Sequence, residues 1–243
     1  MNVAIEGAPI LRWTAPARLL AGDGQLSLDP FTLHAGQWLL LRPEQEVLGP
    51  DLAVAIARVL ATLDPPASGE LALFGRDPNA LSYLELFQLR ARLALIPGSG
   101  GLLASRTLRE NIALPISVHA GLSHAAEWTL VTGILQRFGL EDAADLYPHA
   151  VSGSTRLRTC FARATALTPE LYIVEGAGEF VSETHVGLSW TRLAEARPQQ
   201  RAALVVCVSR HDTDFETWFR GQGGTVMQYR LHSESERAEG ART

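Results

Sequence analysis

The sequence predicts an α/β fold with an inserted helical subdomain. Two observations point to the sheet. Short continuous apolar runs, LALIP (93–97), LYIV (171–174) and ALVVCV (203–208), suit strands buried on both faces of a parallel sheet. Helical patterns lie between the last two of them, as crossover connections require. A third observation points to the insert: from about Thr107 to Leu146 the patterns are mostly helical.

The elements follow in order. ILRWTAP, LSLDPFTL and WLLL are short runs bounded by Gly, Pro and Asp, and read as strands. DLAVAIARVLATL (51–63) has helical length and pattern, with Pro50 just before it. PPASGELALFG reads as a turn and a strand. SYLELFQLRAR (82–92) reads as a helix whose N-cap is Ser82, with Glu85 at capping-box spacing. LALIP is a strand. TLRENIAL, SHAAEWTLVTGILQRFGL and EDAADLY are expected helices. Ser152 is placed to cap a helix over 153–167. LYIV and ALVVCV are buried strands, and HSESERAEGART (232–243) is a polar tail. The expected division is one domain over 1–231, with its helical subdomain at about 100–165, and the tail.

Composition narrows the function. At 47% hydrophobic and 19% charged residues, the 243-residue chain builds a sizeable core. The net charge of −5 argues against a nucleic-acid partner, which needs a basic stripe. Cys160 and Cys207 are far apart in apolar runs and show no disulfide or zinc spacing; no metal site is expected. The N-terminus MNVAIEGAPILRW lacks a signal-peptide pattern, and the apolar runs fall below the ~18 residues that span a bilayer. A cytoplasmic protein is expected. All 21 basic residues are arginine. Chemistry that requires a lysine, including the phosphate-gripping lysine of P-loop enzymes, is therefore excluded.

Over roughly residues 25–230 the sequence resembles the ATP-binding subunits of ABC transporters. FTLHAGQWLLL resembles the strand leading to the phosphate loop. VLATLDPPASGELALFG resembles the helix end and next strand of the nucleotide-binding core. LALIPGSGGLLASRTLRENIALP resembles the glutamine-loop region and the start of the helical subdomain. AVSGSTRLRTCFARATALTPELYIVEGAG resembles the signature motif, its helix and the magnesium-binding strand. LVVCVSRHD resembles the strand that ends in the switch histidine. The order and spacing of the pieces carry the resemblance. The GLLASRTLRENIALP segment looks most like the branch that drives lipid transport with Mce-type proteins. The implied fold is α/β: a P-loop NTPase-like ABC nucleotide-binding domain with an N-terminal β-subdomain and an inserted helical subdomain.

Residue by residue, the resemblance implies a degenerate catalytic site. A phosphate loop needs glycines, a lysine and a Ser/Thr hydroxyl for magnesium. RPEQEVLGPDLAVAI (42–56) has no GK[ST]. Its phosphate-loop equivalents are Arg42, Gln45 and Gly49. Arg42 is either a substitute for the lysine or a solvated strand-end residue. Glu44, Glu46 and Asp51 crowd the place of a polyphosphate. Two like charges ~4 Å apart repel by about 4 kcal/mol at an effective dielectric near 20. Gly98 falls where a glutamine senses magnesium. Glu175 replaces the magnesium-binding aspartate, and Gly176 replaces the glutamate that polarises water. Loss of such a base alone costs roughly 10²–10⁴-fold. His211 is retained at the switch position, or is a surface or packing residue. Ser152 and Gly153 are retained from the signature motif, directed at a partner's ATP. Trp13 is read either as an adenine stacker or as a core residue.

The implied partners are a membrane-spanning permease and a homologous ATPase subunit in a homo- or heterodimer. The docking surface is expected from Leu102, Leu103, Leu108 and Ile112, with Leu114 beside them. ATP and magnesium are expected only at a partner's site, not in the isolated chain. The expected location is the inner face of the membrane, reached through partners. The alternative is an active ATPase with a non-standard phosphate loop; the missing lysine speaks for the non-catalytic subunit. Other enzyme classes fit worse. GAG (176–178) lacks the third glycine of a dinucleotide fingerprint, and no G-x-S-x-G elbow occurs. A metal site on His211, Asp212 and Asp214 matches in spacing only, and a solvated helix start explains the two aspartates better.

Overall fold

The structure, a computed structural model, describes residues 8–14, 17–21, 24–44, 52–65, 71–98, 101–175, 202–208 and 213–232. Its strands are β1 (Leu11–Trp13), β2 (Ala17–Ala21), β3 (Gly24–Leu28), β4 (Phe31–Leu33), β5 (Trp38–Pro43), β6 (Leu71–Leu73), β7 (Leu93–Ile96), β8 (Leu171–Glu175), β9 (Ala203–Cys207) and β10 (Thr225–His232). The helices are α1 (Leu52–Leu60), α2 (Tyr83–Arg90), α3 (Leu108–His119), α4 (His124–Phe138), α5 (Gly153–Ala164) and α6 (Thr213–Gly221).

Seven strands form one sheet in the order β2-β3-β10-β5-β9-β8-β7. From β10 to β7 every pairing is parallel. The β2–β3 pair joins it antiparallel through β10. A separate antiparallel sheet has the order β4-β1-β6.

Alternation along the central strands splits the core in two. Trp38, Leu40, Ala94, Ile96, Tyr172, Val174, Leu204 and Val206 face the cluster built with α3, α4, α5 and α6. Leu39, Leu41, Leu171, Ile173, Ala203, Val205 and Cys207 face the other side, against α1 and the small sheet. That two-sided burial is why β8 and β9 read as unbroken apolar runs.

The local rules hold in detail. Ser82 and Glu85 make the expected capping box at the start of α2. Thr107 and Glu110 make a second one on α3. Gly139, in the left-handed conformation at φ 62°, closes α4.

Three expectations are corrected. The helix read from TLRENIAL does not stop at Pro115 but runs to His119, because Ile112 and Ile116 are both buried and hold its two halves to the core. EDAADLY is not a helix; only Glu141–Ala143 makes a single 3-10 turn. The Ala144 and Leu146 carbonyls are drawn instead to the unpaired N–H groups of Arg109 and Leu108 at the start of α3, at 2.8 and 2.9 Å. The α5 helix ends at Ala164, short of residue 167, where the Thr165 hydroxyl donates to the Ala162 carbonyl. The strands β2 and β10 had no expectation attached to them.

The capping box supplies a pH test. Glu85 is held down to about 2 by the Ser82 hydroxyl, the Ser82 N–H and Arg76. A depressed carboxylate contributes stability above its ordinary value of 4.5 and loses it as pH falls toward 2. Thermal melts of Glu85→Gln are therefore expected to show a shallower loss of stability between those limits than the parent chain.

Candidate functional site

Parallel strands bring the carboxyl ends of β5, β9, β8 and β7 to one edge of the sheet, where α/β folds place their sites. At the end of β5, Arg42 turns its guanidinium into the protein. Its Nε lies 3.0 Å from Glu216 Oε2 of α6, with the two side chains 19% and 14% exposed. Nη1 donates to the Pro43 carbonyl at 3.2 Å. Gln228, oriented with its amide oxygen toward the arginine, accepts from Nη2 and Nη1 at 2.7 and 3.1 Å. Gln228 is also the register partner of Arg42 across β5 and β10. Glu216 Oε1 takes Arg220 at 2.8 Å, so both of its oxygens are engaged. Arg42 is thus neither a free phosphate grip nor a solvated residue. It is a fork joining β5, β10 and α6.

Glu175 ends β8 and is buried. Its Oε1 accepts a long hydrogen bond, 3.4 Å, from the Gly98 N–H beyond β7. The positions that resemble a magnesium aspartate and a sensing glutamine are therefore bonded to each other. Gly101 follows with φ +56°, and a Cβ there would meet Pro97 Cγ at 3.0 Å, so this turn requires glycine. The Gly101 carbonyl accepts from Arg163 Nη1 of α5 at 2.7 Å. Burial lowers the Arg163 pKa from its ordinary value. Gln45, Gly49, Gly176 and His211 lie outside the described residues.

The segment beyond Gly101 depends on a residue that sequence reading missed. Asn111 is fully buried in α3. Its Oδ1 accepts from the Leu103 N–H at 2.8 Å. Its Nδ2 donates to the carbonyls of Leu103, Arg106 and Thr107 at 3.1, 3.1 and 2.9 Å. The one available signal was an asparagine on the apolar stripe of TLRENIAL. Two docking expectations are corrected here: Leu108 and Ile112 are wholly buried core residues and offer no surface. Leu102 is partly buried against the core, whereas Leu103 is exposed. Further apolar surface flanks the stack of Phe87 on His119, whose ring centroids are 4.3 Å apart. Leu84 lies one turn before Phe87, and Val118 adjoins His119; both are exposed.

At α5, Ser152 is the N-cap that its sequence position suggested. Its Oγ accepts from the Thr155 N–H at 3.2 Å and lies 3.0 Å from the hydroxyls of Ser154 and Thr155. Ser152 and Gly153 are exposed, and a Cβ on Gly153 would find no atom closer than Arg156 Nη2 at 3.7 Å. Trp13 is a core residue: it is 1% exposed and its ring stacks on Phe31, so it presents no face to an adenine. Burial pushes the Cys160 thiol up to about 11 and raises Cys207 further, which leaves both inert at neutral pH. Among the described residues no group of three or more His, Cys, Asp or Glu side chains is placed to hold a metal ion.

No protein-family model matches the chain. Solved structures do. The dimeric structure of MJ0796, a bacterial ABC transporter cassette, superposes with a TM-score of 0.73 at 18% identity over 90% of this chain and 94% of that one. The cbiO1 protein from Clostridium perfringens, part of the ABC transporter complex cbiONQ, gives 0.72 at 15% identity over 93% and 88%. The fold is that of an ABC cassette.

Curated sequences similar to this chain are ABC transporter ATP-binding subunits. Methionine import ATP-binding protein MetN 1 of Rhodococcus jostii (strain RHA1) is 37% identical over 122 residues, 50% of this chain and 36% of the relative. MetN 2 of Pseudomonas aeruginosa (strain UCBPP-PA14) is 29% identical over 157 residues, 65% and 47% respectively. The match spans less than half the length of either relative.

The cation at the β5 end is taken by Glu216 and Gln228, and the β8 carboxylate by the Gly98 N–H.

Asn111 offers a direct check on the 103–107 segment. Asn111→Ala takes a partner from four backbone groups; the Leu103 and Thr107 carbonyls keep the N–H groups of Arg106 and residue 111, so the Leu103 N–H and the Arg106 carbonyl are the ones left unmet. The substitution is expected to lower stability by about 3 kcal/mol, since each unmet buried group costs ~1–3 kcal/mol and water will reach some of them. Urea unfolding measures the loss.

Proposed function

We propose that the chain is the ATP-binding-subunit-like component of an ABC transporter that has lost its own hydrolysis, couples to a membrane partner, and completes the ATP site of a partner subunit. The observation that carries this reading is the fate of Arg42 in a chain without lysine. The one described cation at the β5 end is bonded to Glu216 and Gln228. In this reading residues 1–231 form the cassette, with the helical subdomain at about 100–165 and the tail at 232–243. The protein works in the cytoplasm, at the inner face of the membrane, through its partners. Among the described residues no helix is long and apolar enough to cross a membrane. The membrane partner docks on exposed Leu103 and the neighbouring apolar surface of α2 and α3. The cargo is open between two pointers: the relatives named above import methionine, and the 101–115 segment resembles the lipid-transport branch.

Calorimetry of the purified chain with Mg-ATP tests the loss of nucleotide binding. No heat of binding is expected. Micromolar binding that disappears in Arg42→Gln would make the chain an ATPase with an unusual loop instead.

A second experiment tests service to a partner's ATP. The exposed Ser152 hydroxyl and the N–H groups at the start of α5 are donors suited to a γ-phosphate held by another subunit. There is room for a side chain at Gly153. Gly153→Glu in the assembled transporter is expected to leave assembly intact and cut the ATPase rate steeply, because its carboxylate would face phosphate. Ser152→Ala, a lost N-cap, is expected to cost ~1 kcal/mol of stability. A normal rate in an assembled Gly153→Glu complex would reduce the motif to a helix cap.

A further inference from the structure

Two ties link described strand ends at the carboxyl edge of the sheet. The first is the Arg42 fork on Glu216 and Gln228, which joins the end of β5 to α6 and β10. Glu216 is held in turn by Arg220, so it cannot follow Arg42 outward without giving up a second ion pair. The second tie is the Gly98 N–H on Glu175, which joins the end of β7 to the end of β8. Tyr229 adds a buried bond on the same edge: its hydroxyl donates to the Val208 carbonyl just past β9, at 2.6 Å. Each of β5, β7, β8 and β9 is thereby fastened, at its carboxyl end, to a neighbouring element of the same chain.

We propose that these ties hold the strand ends in one arrangement that needs no nucleotide, so that the subunit is permanently set for coupling rather than switched by ATP. The proposal rests on the reading of the chain as a subunit without its own hydrolysis, and it assigns Arg42, Glu216 and Glu175 as positioning residues. A ligand shifts a conformational equilibrium only by its differential affinity for the two states. Arg42 and Glu175 already have partners inside the protein, and a phosphate or a magnesium ion must displace those partners to bind. Pulling Arg42 away would leave the Glu216 carboxylate partly buried with one cation fewer, which opposes opening.

Amide hydrogen exchange on the full chain tests this, read at residues 93–98 and 213–229, with and without Mg-ATP. In the parent chain both segments are expected to exchange at the same rate in either condition. Glu175→Ala is expected to speed exchange at Gly98 about tenfold and to leave 213–229 unchanged, as for a local opening held by one bond. Glu216→Gln is expected to speed exchange across 213–229 by about the same factor, with Arg42→Lys intermediate because it keeps the charge but loses the fork. Circular dichroism confirms folding, and Arg42→Lys carries the test if Glu216→Gln does not fold. Parent-like rates in Glu175→Ala and in the folded fork variants would overturn the proposal and leave the functional reading standing. Slower exchange of the parent segments on adding Mg-ATP would also overturn it. Calorimetric binding of Mg-ATP with unchanged exchange would do the reverse: the functional reading would fall and the fixed edge would remain.

Discussion

The Arg42 guanidinium has one set of donors, and the protein uses them internally. Glu216, Gln228 and the Pro43 carbonyl surround it at hydrogen-bonding distances. All 21 basic residues of the chain are arginine, so no lysine shares the work. The fork also sets the position of α6, because Glu216 sits in that helix between Arg42 and Arg220. From this follows the contrast between the fold of an ABC cassette and a β5 end occupied by the chain's own side chains.

The rest of the scaffold is conventional for a two-sided sheet. Period-two alternation sends neighbouring residues of β5, β8 and β9 into two separate cores. The face carrying α3 to α6 is also the face from which Asn111 and Arg163 brace the turn at 101–107. The segment that presents Leu103 is therefore rigidly backed, with its backbone groups bonded to a buried amide. A preorganised segment loses little entropy on docking, which suits the docking surface proposed for it.

Much of the fold was legible in the sequence. LYIV and ALVVCV announced strands because both faces are buried, and Ser82 with Glu85 announced α2 because the capping box is a local interaction. EDAADLY misled because its helical composition was overridden by backbone bonds to α3, a partner more than thirty residues away. β10 was legible and overlooked: MQYRLH (227–232) alternates apolar and polar residues as a strand does, and its place is set by pairing with β5 and β3. The candidate site was half legible. Absence of lysine was visible from composition, but the bonds that occupy Arg42 join residues 174 and 186 positions apart. Leu108 and Ile112 looked like surface because a leucine-rich stretch does not tell which side of a helix faces the core.

Arginine side-chain nitrogen NMR gives the most direct view of the central claim. In the isolated chain the Arg42 Nε–H and Nη resonances report whether the guanidinium stays with Glu216 and Gln228. On titration with Mg-ATP to millimolar concentration the account predicts that these resonances do not move, while Glu216→Gln shifts them without nucleotide. A saturable shift of the Arg42 signals with Mg-ATP would show the guanidinium gripping phosphate and would contradict the account.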